Sequence, residues 1–216
     1  MRYQEFCRPA GLRLAGPQRH ETAGGVEPPC AESCGAALRD RVVESSITAG
    51  HEVDLVDLYA EGFEPVMTAE QRRHYHQAVS NAEAVRDHVD RLAACDGVVF
   101  VFLTWWMGPP AMLKGWMERV VLPYEAFLME GRPADMTPRL SRVRWLGVVT
   151  TLGSPWWYWT FVMCAPGRKI MLRALRSCCH RRCRTFWLGL HNIDSASNRQ
   201  RCSFMERVDR KIASLR

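Results

Sequence analysis

The sequence predicts a three-layer α/β sandwich built on a parallel sheet. Three short runs carry that expectation: GVVFVFL (Gly97 to Leu103), WLGVVTTL (Trp145 to Leu152) and TFWLGL (Thr185 to Leu190). Each is apolar on both faces, as an interior parallel strand covered by helices must be. Between them the apolar residues recur every third or fourth position, so strands alternate with helices. The 216 residues are enough for one domain of ordinary size.

In chain order, residues 1–30 are Gly/Pro-rich without a sustained period and are expected to be irregular. Residues 31–216 are expected to form the domain. A weak helix runs from Ala31 to Ile47 with Leu38 and Val42 inward. HEVDLVDLY (His51 to Tyr59) follows as a strand, on the short apolar run Val53, Leu55, Val56 and Leu58. Thr68-x-x-Gln71 is a capping box and opens a long helix whose buried stripe is Ala82, Val85, Val89 and Leu92. Asp96-Gly97 turns the chain into the first interior strand. Pro109-Pro110 then opens a helix at the one turn where proline is tolerated, with Met112, Leu113, Trp116 and Val120 inward. Another helix starts near Pro166-Gly167 and runs past Leu175. The last helix buries Phe204, Val208 and Ile212, spaced one turn apart.

Charge is divided unevenly. Residues 1–108 hold 10 basic and 16 acidic side chains, net −6; residues 109–216 hold 19 and 7, net +12. A basic half fits either an anionic partner or a solvated arginine face. Its densest stretch is Arg168, Lys169, Arg173, Arg176, Arg181, Arg182 and Arg184, which matches no DNA-binding motif. The expectation is no nucleic-acid partner. The amino terminus is charged throughout, with no signal-peptide core. The most apolar run, WWYWTFVMC (Trp156 to Cys164), is about half the ~20 residues a membrane-spanning helix needs. With nine cysteines, an odd number, these features predict a cytoplasmic protein with reduced thiols and no membrane insertion. CCHRRC (Cys178 to Cys183) has two ligands at Cys179-x3-Cys183, but no second pair follows and arginines surround it, so no metal is expected.

Open parallel sheets bind ligands at the carboxyl ends of their strands. After the first interior strand come Thr104, Trp105, Trp106, Met107 and Gly108; after the second come Gly153, Ser154, Pro155, Trp156, Trp157 and Tyr158. Two aromatic, glycine-containing loops leaving one edge make an apolar slot ringed by backbone N–H groups, suited to a planar aromatic cofactor. No GxGxxG follows a strand and no GxxxxGK[ST] or GxSxG occurs, which excludes the Rossmann dehydrogenase, P-loop and α/β-hydrolase signatures.

From about residue 30 onward the chain resembles the flavodoxin-like NAD(P)H:quinone oxidoreductases. The resemblance is carried by GHEVDLVDLYAEGFEPVM (Gly50 to Met67), CDGVVFVFLTWWMGPPAMLKGWMERVVLPYEAF (Cys95 to Phe127) and GVVTTLGSPWWYW (Gly147 to Trp159). It implies a flavodoxin-like fold, a bound FAD or FMN, NAD(P)H as electron donor, a quinone or other small aromatic acceptor, and a homodimer. The implied reaction is a ping-pong, two-electron hydride transfer. By the same resemblance, Trp105, Trp106, Met107 and Gly108 lie along the flavin ring. Thr150, Thr151, Leu152 and Gly153 bind its polar edge. Ser33, Cys34 and Gly35 hold phosphate at the start of the first helix, where free N–H groups favour an anion. Ala126 and Phe127 belong to a substrate-side loop, and Tyr158 is the candidate proton donor to the acceptor.

The chain departs from the pattern before residue 31. TAGGVEPPCAES (Thr22 to Ser33) shows no apolar strand and lacks the family's His-Pro turn; GLRLAG (residues 11–16) is the alternative source of the strand. Cys34 replaces an aromatic, Leu103 a proline, and Cys164 lies where relatives carry a histidine. The missing first strand motivates a second reading, a degenerate flavodoxin-like protein acting as a non-catalytic or regulatory partner.

Overall fold

The computed structural model describes residues 20–25 (backbone only), 34–129 and 136–215. Five strands form one parallel sheet: β1 (His20–Gly25), β2 (Glu52–Asp57), β3 (Gly97–Leu103), β6 (Trp145–Thr151) and β7 (Arg184–Leu190), in the order β2-β1-β3-β6-β7. Between β3 and β6 a short antiparallel hairpin, β4 (Phe127–Met129) with β5 (Met136–Pro138), stands apart from the sheet. The principal helices are α1 (Cys34–Thr48), α2 (Ala69–His74), α3 (Arg86–Ala94), α4 (Ala111–Val120), α5 (Pro166–Arg168) and α6 (Asn198–Ala213).

The apolar runs divide their side chains between two cores. From β3, Val98, Phe100 and Phe102 join Leu146 and Val148 of β6 under α3, α4 and the chain after α5, with Val89, Leu113, Trp116 and Met171. The alternate residues Val99, Val101 and Val149 face α1 and α6, where they meet Leu38, Val42, Phe204, Val208 and Ile212. Successive residues of a strand point to opposite faces, so a strand buried on both must be apolar throughout. Gly147 interrupts that run for a steric reason: a Cβ there would lie 2.1 Å from the Phe186 ring of β7. Arg41 of α1 and Asp209 of α6 close the outer layer through two hydrogen bonds of 2.8 and 2.5 Å.

Three expectations are corrected. The segment 1–30, expected to be irregular, contains β1, and β1 is central: it pairs with β2 from His20↔Glu52 to Gly25↔Asp57 and with β3 from Glu21↔Gly97 to Gly25↔Val101. The sheet therefore begins before residue 31; residues 11–16, the expected alternative, lie outside the described residues. HETAGG escapes a search for apolar runs because a parallel ladder is made by main-chain N–H and C=O groups, which every residue but proline carries whatever its side chain. The long helix from Thr68 is broken. Its capping box forms as expected, but α2 ends at His74, and the stripe residues Val85, Val89 and Leu92 lie on a 3-10 turn (Glu83–Val85) and α3. In the gap, the buried Asn81 donates to Pro123 O at 2.8 Å and Tyr75 O at 3.3 Å, and Val79 adopts φ +72°. An asparagine amide that bonds backbone carbonyls competes with helix continuation. The helix at Pro166 is α-helical only to Arg168, then π (Lys169–Ala174) and 3-10 (Leu175–Cys178).

Candidate active site

The carboxyl ends of β3 and β6 meet through their threonines. Thr104 N donates to Thr151 O at 3.0 Å, and the Thr104 and Thr150 hydroxyls are 2.9 Å apart. Beyond Thr104 the chain folds back on itself: Trp105 N to Gly108 O is 3.1 Å, and Gly108 N to Trp105 O is 3.0 Å. The two residues at the tip, Trp106 and Met107, both have positive φ, +45° and +63°. That mirror-image turn ordinarily takes Asn or Gly, because a left-handed backbone crowds a Cβ. Here a tryptophan occupies it with its side chain 98% exposed, beside an exposed Trp105. Solvation gains nothing from a fully exposed indole on a strained backbone, and strain of this kind clusters at ligand sites.

The turn is clamped from behind. Met107 O accepts from Gly167 N at 3.1 Å and from Trp159 Nε1 at 3.4 Å. Gly167 is required for that approach: a Cβ would stand 2.9 Å from Met107 O and 3.2 Å from Gly108 Cα. Trp159 is buried and stacks on Trp187, centroids 5.1 Å apart at 24°. It belongs to a π-helix (Tyr158–Val162), followed by two left-handed residues, Cys164 and Ala165, that swing the chain into α5. Trp156, Trp157 and Phe161 on this segment are exposed.

The expected ring-edge segment divides into support and donors. Thr150, Thr151 and Leu152 are buried; Leu152 N donates to Leu190 O and Leu152 O accepts from Ile193 N, at 2.8 and 3.1 Å. Their groups are spent on joining β6 to β3 and β7, so they support the crevice rather than line it. Gly153 is exposed, and its N–H and that of Ser154 donate to no group among the described residues; the same holds for Trp106 and Met107. Two unused donors thus lie in the aromatic turn and two in the loop that follows β6.

At the far end, Ser33 lies outside the described residues. Cys34 and Gly35 begin α1, with Gly35 buried. Burial pushes the Cys34 thiol above its ordinary range, opposed by the nearby Arg201 guanidinium. Arg201 was not expected at the site. It comes from α6, which packs on α1, and it donates to Ile193 O at 3.2 Å. His191 was missed as well, although it directly follows β7, at a carboxyl end where site residues are to be sought; β7, expected as an interior strand, is an edge strand of the sheet. Its Nδ1 lies 3.2 Å from Ser154 O, and burial lowers its pKa while that hydrogen bond opposes the shift. Tyr158 is half-buried, edge-to-face with Trp157, and its hydroxyl bonds no described residue. Ala126 is buried in the core and Phe127 opens β4; among the described residues no hydrogen bond joins either to the tryptophan loops. The CCHRRC cysteines are core residues: Cys178, Cys179 and Cys183 are buried, and the hydrogen bond with Cys183, with burial, raises the Cys179 thiol. Among the described residues no three His, Cys, Asp or Glu side chains are grouped to hold a metal, and no helix is long and apolar enough to cross a membrane.

A family model described as flavodoxin-like fold matches residues 27–179. An uncharacterized NAD(P)H oxidoreductase of Haemophilus influenzae is 31% identical over 96 residues, 44% of this chain and 47% of that one. The ribosyldihydronicotinamide dehydrogenase [quinone] of Pongo abelii is 30% identical over 115 residues, 46% of this chain and 50% of that one. The chain thus spans about half the length of the curated relatives it matches. Among solved structures, the NAD(P)H:quinone oxidoreductase from Methanothermobacter marburgensis superposes with a TM-score of 0.75 at 19% identity, covering 93% of this chain and all of that one. An FMN-dependent NADH-azoreductase from Bacillus anthracis, solved with FMN, gives 0.67 at 11% identity, covering 91% of this chain and 96% of that one. At these identities the structures speak for the fold.

Proposed function

We propose, because this chain belongs to the flavodoxin-like fold family, that it is a flavin-dependent NAD(P)H oxidoreductase acting on a quinone. The observation that carries this is the exposed, left-handed Trp106 turn with unused backbone donors on it and on the loop after the neighbouring strand β6, at the carboxyl edge of the sheet. An exposed aromatic face with N–H groups at its rim is complementary to a planar heteroaromatic ring with carbonyls on one side. The names of the relatives, which include NAD(P)H oxidoreductases and quinone dehydrogenases, support the same reaction class.

The chemistry that a bound FMN or FAD supplies is two-electron hydride transfer, from NAD(P)H in one half-cycle and to a quinone in the other. The chain's residues do the rest. Trp105, Trp106 and Met107 would back a bound flavin along the turn that Gly108 closes, and the Gly153 and Ser154 N–H groups would hold its polar edge as donors. His191, by holding Ser154 O, fixes the orientation of that loop. Cys34 and Gly35, with Ser33 before them, offer the helix N-terminus to phosphate, and Arg201 adds its charge. Tyr158 supplies a proton to the acceptor oxygen. Ala126 can contribute to the acceptor side only through its backbone, since its side chain is buried. The exposed Trp156, Trp157 and Phe161 favour a homodimer that covers this face.

The reading of a degenerate, non-catalytic protein rested on a missing first strand. With β1 paired on both sides, that support is gone. The deciding experiment is the visible spectrum of the purified protein with added FMN or FAD, then anaerobic NADPH, then a quinone. The expected result is a two-band spectrum that bleaches with NADPH and returns with quinone, the bound flavin being identified by mass after acid release. A folded protein that stays colourless with both flavins overturns the proposal.

A further inference from the structure

β7 is the last strand of the sheet, and its outer edge faces a groove. Arg184 N donates to Arg144 O, and Leu190 O accepts from Leu152 N, so the even-numbered residues of β7 turn their backbone groups toward β6. In a parallel ladder the alternate residues then point the other way. Thr185, Trp187 and Gly189 therefore present N–H and C=O outward, with no partner among the described residues.

The groove has a volume of about 650 Å³ and is lined by Thr185, Phe186 and Trp187 of β7. Consecutive strand residues place their side chains on opposite faces, so a groove that touches all three runs along the strand's edge rather than over one face. Its other wall is the helical run after Pro166, which contributes Arg168, Lys169, Arg173 and Arg176. Four cations thus line one groove along the run from Arg168 to Arg176. None of the four forms an ion pair with a described residue. On the opposite face, Lys211 sits 5.1 Å from the Phe186 ring and Arg184 lies over Trp145 at 5.2 Å, so the edge is flanked by positive charge on both sides.

We infer that this edge is a docking site for an extended acidic peptide segment of a partner protein, added to the sheet as a sixth strand beside β7. Charge complementarity selects acidic side chains, and the outward backbone selects a peptide. A polynucleotide could accept from the N–H groups through phosphate, but its backbone has no N–H to give the Thr185 and Trp187 carbonyls; a peptide strand satisfies both. The same cations repel this edge in a second copy, so the open strand does not lead to self-association. The groove uses none of the N–H groups proposed for the flavin, although Trp187 on its wall stacks on Trp159, which bonds Met107 O.

The test is fluorescence anisotropy of the whole protein with a labelled peptide of Glu-Val repeated three times, with amide hydrogen exchange on the same complex. Binding is expected to weaken as salt rises and to fall about tenfold or more in Lys169→Glu/Arg173→Glu. Thr185→Pro removes an outward N–H, the position where an edge strand tolerates proline, and is expected to abolish binding while circular dichroism is unchanged. In the unaltered protein the amides of Thr185, Trp187 and Gly189 are expected to slow on binding, with Phe186 and Leu188 unaffected. This last measurement needs no variant to fold. Absence of binding, binding without protection of those three amides, or tighter binding of a single-stranded oligonucleotide than of the peptide overturns the inference.

Discussion

Trp106 is where sequence, strain and chemistry meet in one residue. A left-handed backbone costs an L-residue with a Cβ about 1–2 kcal/mol, and nothing in the free chain repays that at a side chain 98% exposed. Asparagine tolerates the conformation far better. Trp106→Asn is therefore expected to raise stability by roughly 0.5–1 kcal/mol, seen as a higher midpoint in thermal melting. The same change removes a stacking surface and is expected to weaken flavin binding roughly tenfold, by titration of flavin fluorescence. Opposite signs for stability and affinity are the mark of a strained ligand-binding residue; a variant that loses both would show that Trp106 packs in the folded chain. The sequence showed where to look for this residue, since aromatics after interior strands sit at the ligand edge. Its backbone conformation was not legible, because Trp-Met carries no turn signal. His191 had a legible place and was passed over. Arg201 had none, since only the packing of α6 on α1 brings it beside Cys34.

At the scale of elements, the apolar strands and the helices with one-turn apolar spacing were readable, and the interruptions were not. β3, β6 and β7 lie within a residue or two of the runs that announced them, and α6 buries the three expected side chains. The break between α2 and α3 turns on Asn81 and Pro123, 42 residues apart, and no local pattern reports such a pair. The wide turns are similar: the π-helix Tyr158–Val162 carries Trp159, and α5 carries Gly167, and both donate to Met107 O. Gly167→Ala tests how closely α5 is fitted to the tryptophan turn. Alanine in a helix gains up to about 1 kcal/mol over glycine, but the new Cβ would press on backbone at 2.9 and 3.2 Å, which cannot rotate away. Overpacking of this kind costs about 1–3 kcal/mol, so the net expectation is a lower urea midpoint. Flavin occupancy should fall with it, because the turn must move to make room. A midpoint equal to or above that of the unaltered chain would mean the interface is loose.

At the scale of the whole molecule, the architecture depends on its least conspicuous strand. β2 reaches the rest of the sheet only through β1, which holds β2 on one side and β3 on the other. Reading apolar runs places the start of the domain at residue 31; the sheet places it at or before His20. The two boundaries make opposite predictions. A fragment beginning at Ala31 keeps the apolar runs of β3, β6 and β7 and the helices that pack on them. It loses two parallel ladders, leaves the β3 backbone unpaired along one edge, and detaches β2 with its contacts to α1 and α3. Folded domains are stable by only about 5–15 kcal/mol, and several buried backbone groups stripped of partners, each costing about 1–3 kcal/mol, exhaust that margin. The fragment is therefore expected to retain helical far-ultraviolet dichroism, lose the near-ultraviolet tryptophan signal and melt without a cooperative transition. It is also expected to bind no flavin, since α1 would no longer be held at the carboxyl edge of a central strand. A cooperative melt in the fragment would show instead that β1 merely decorates a sheet the apolar runs can form alone.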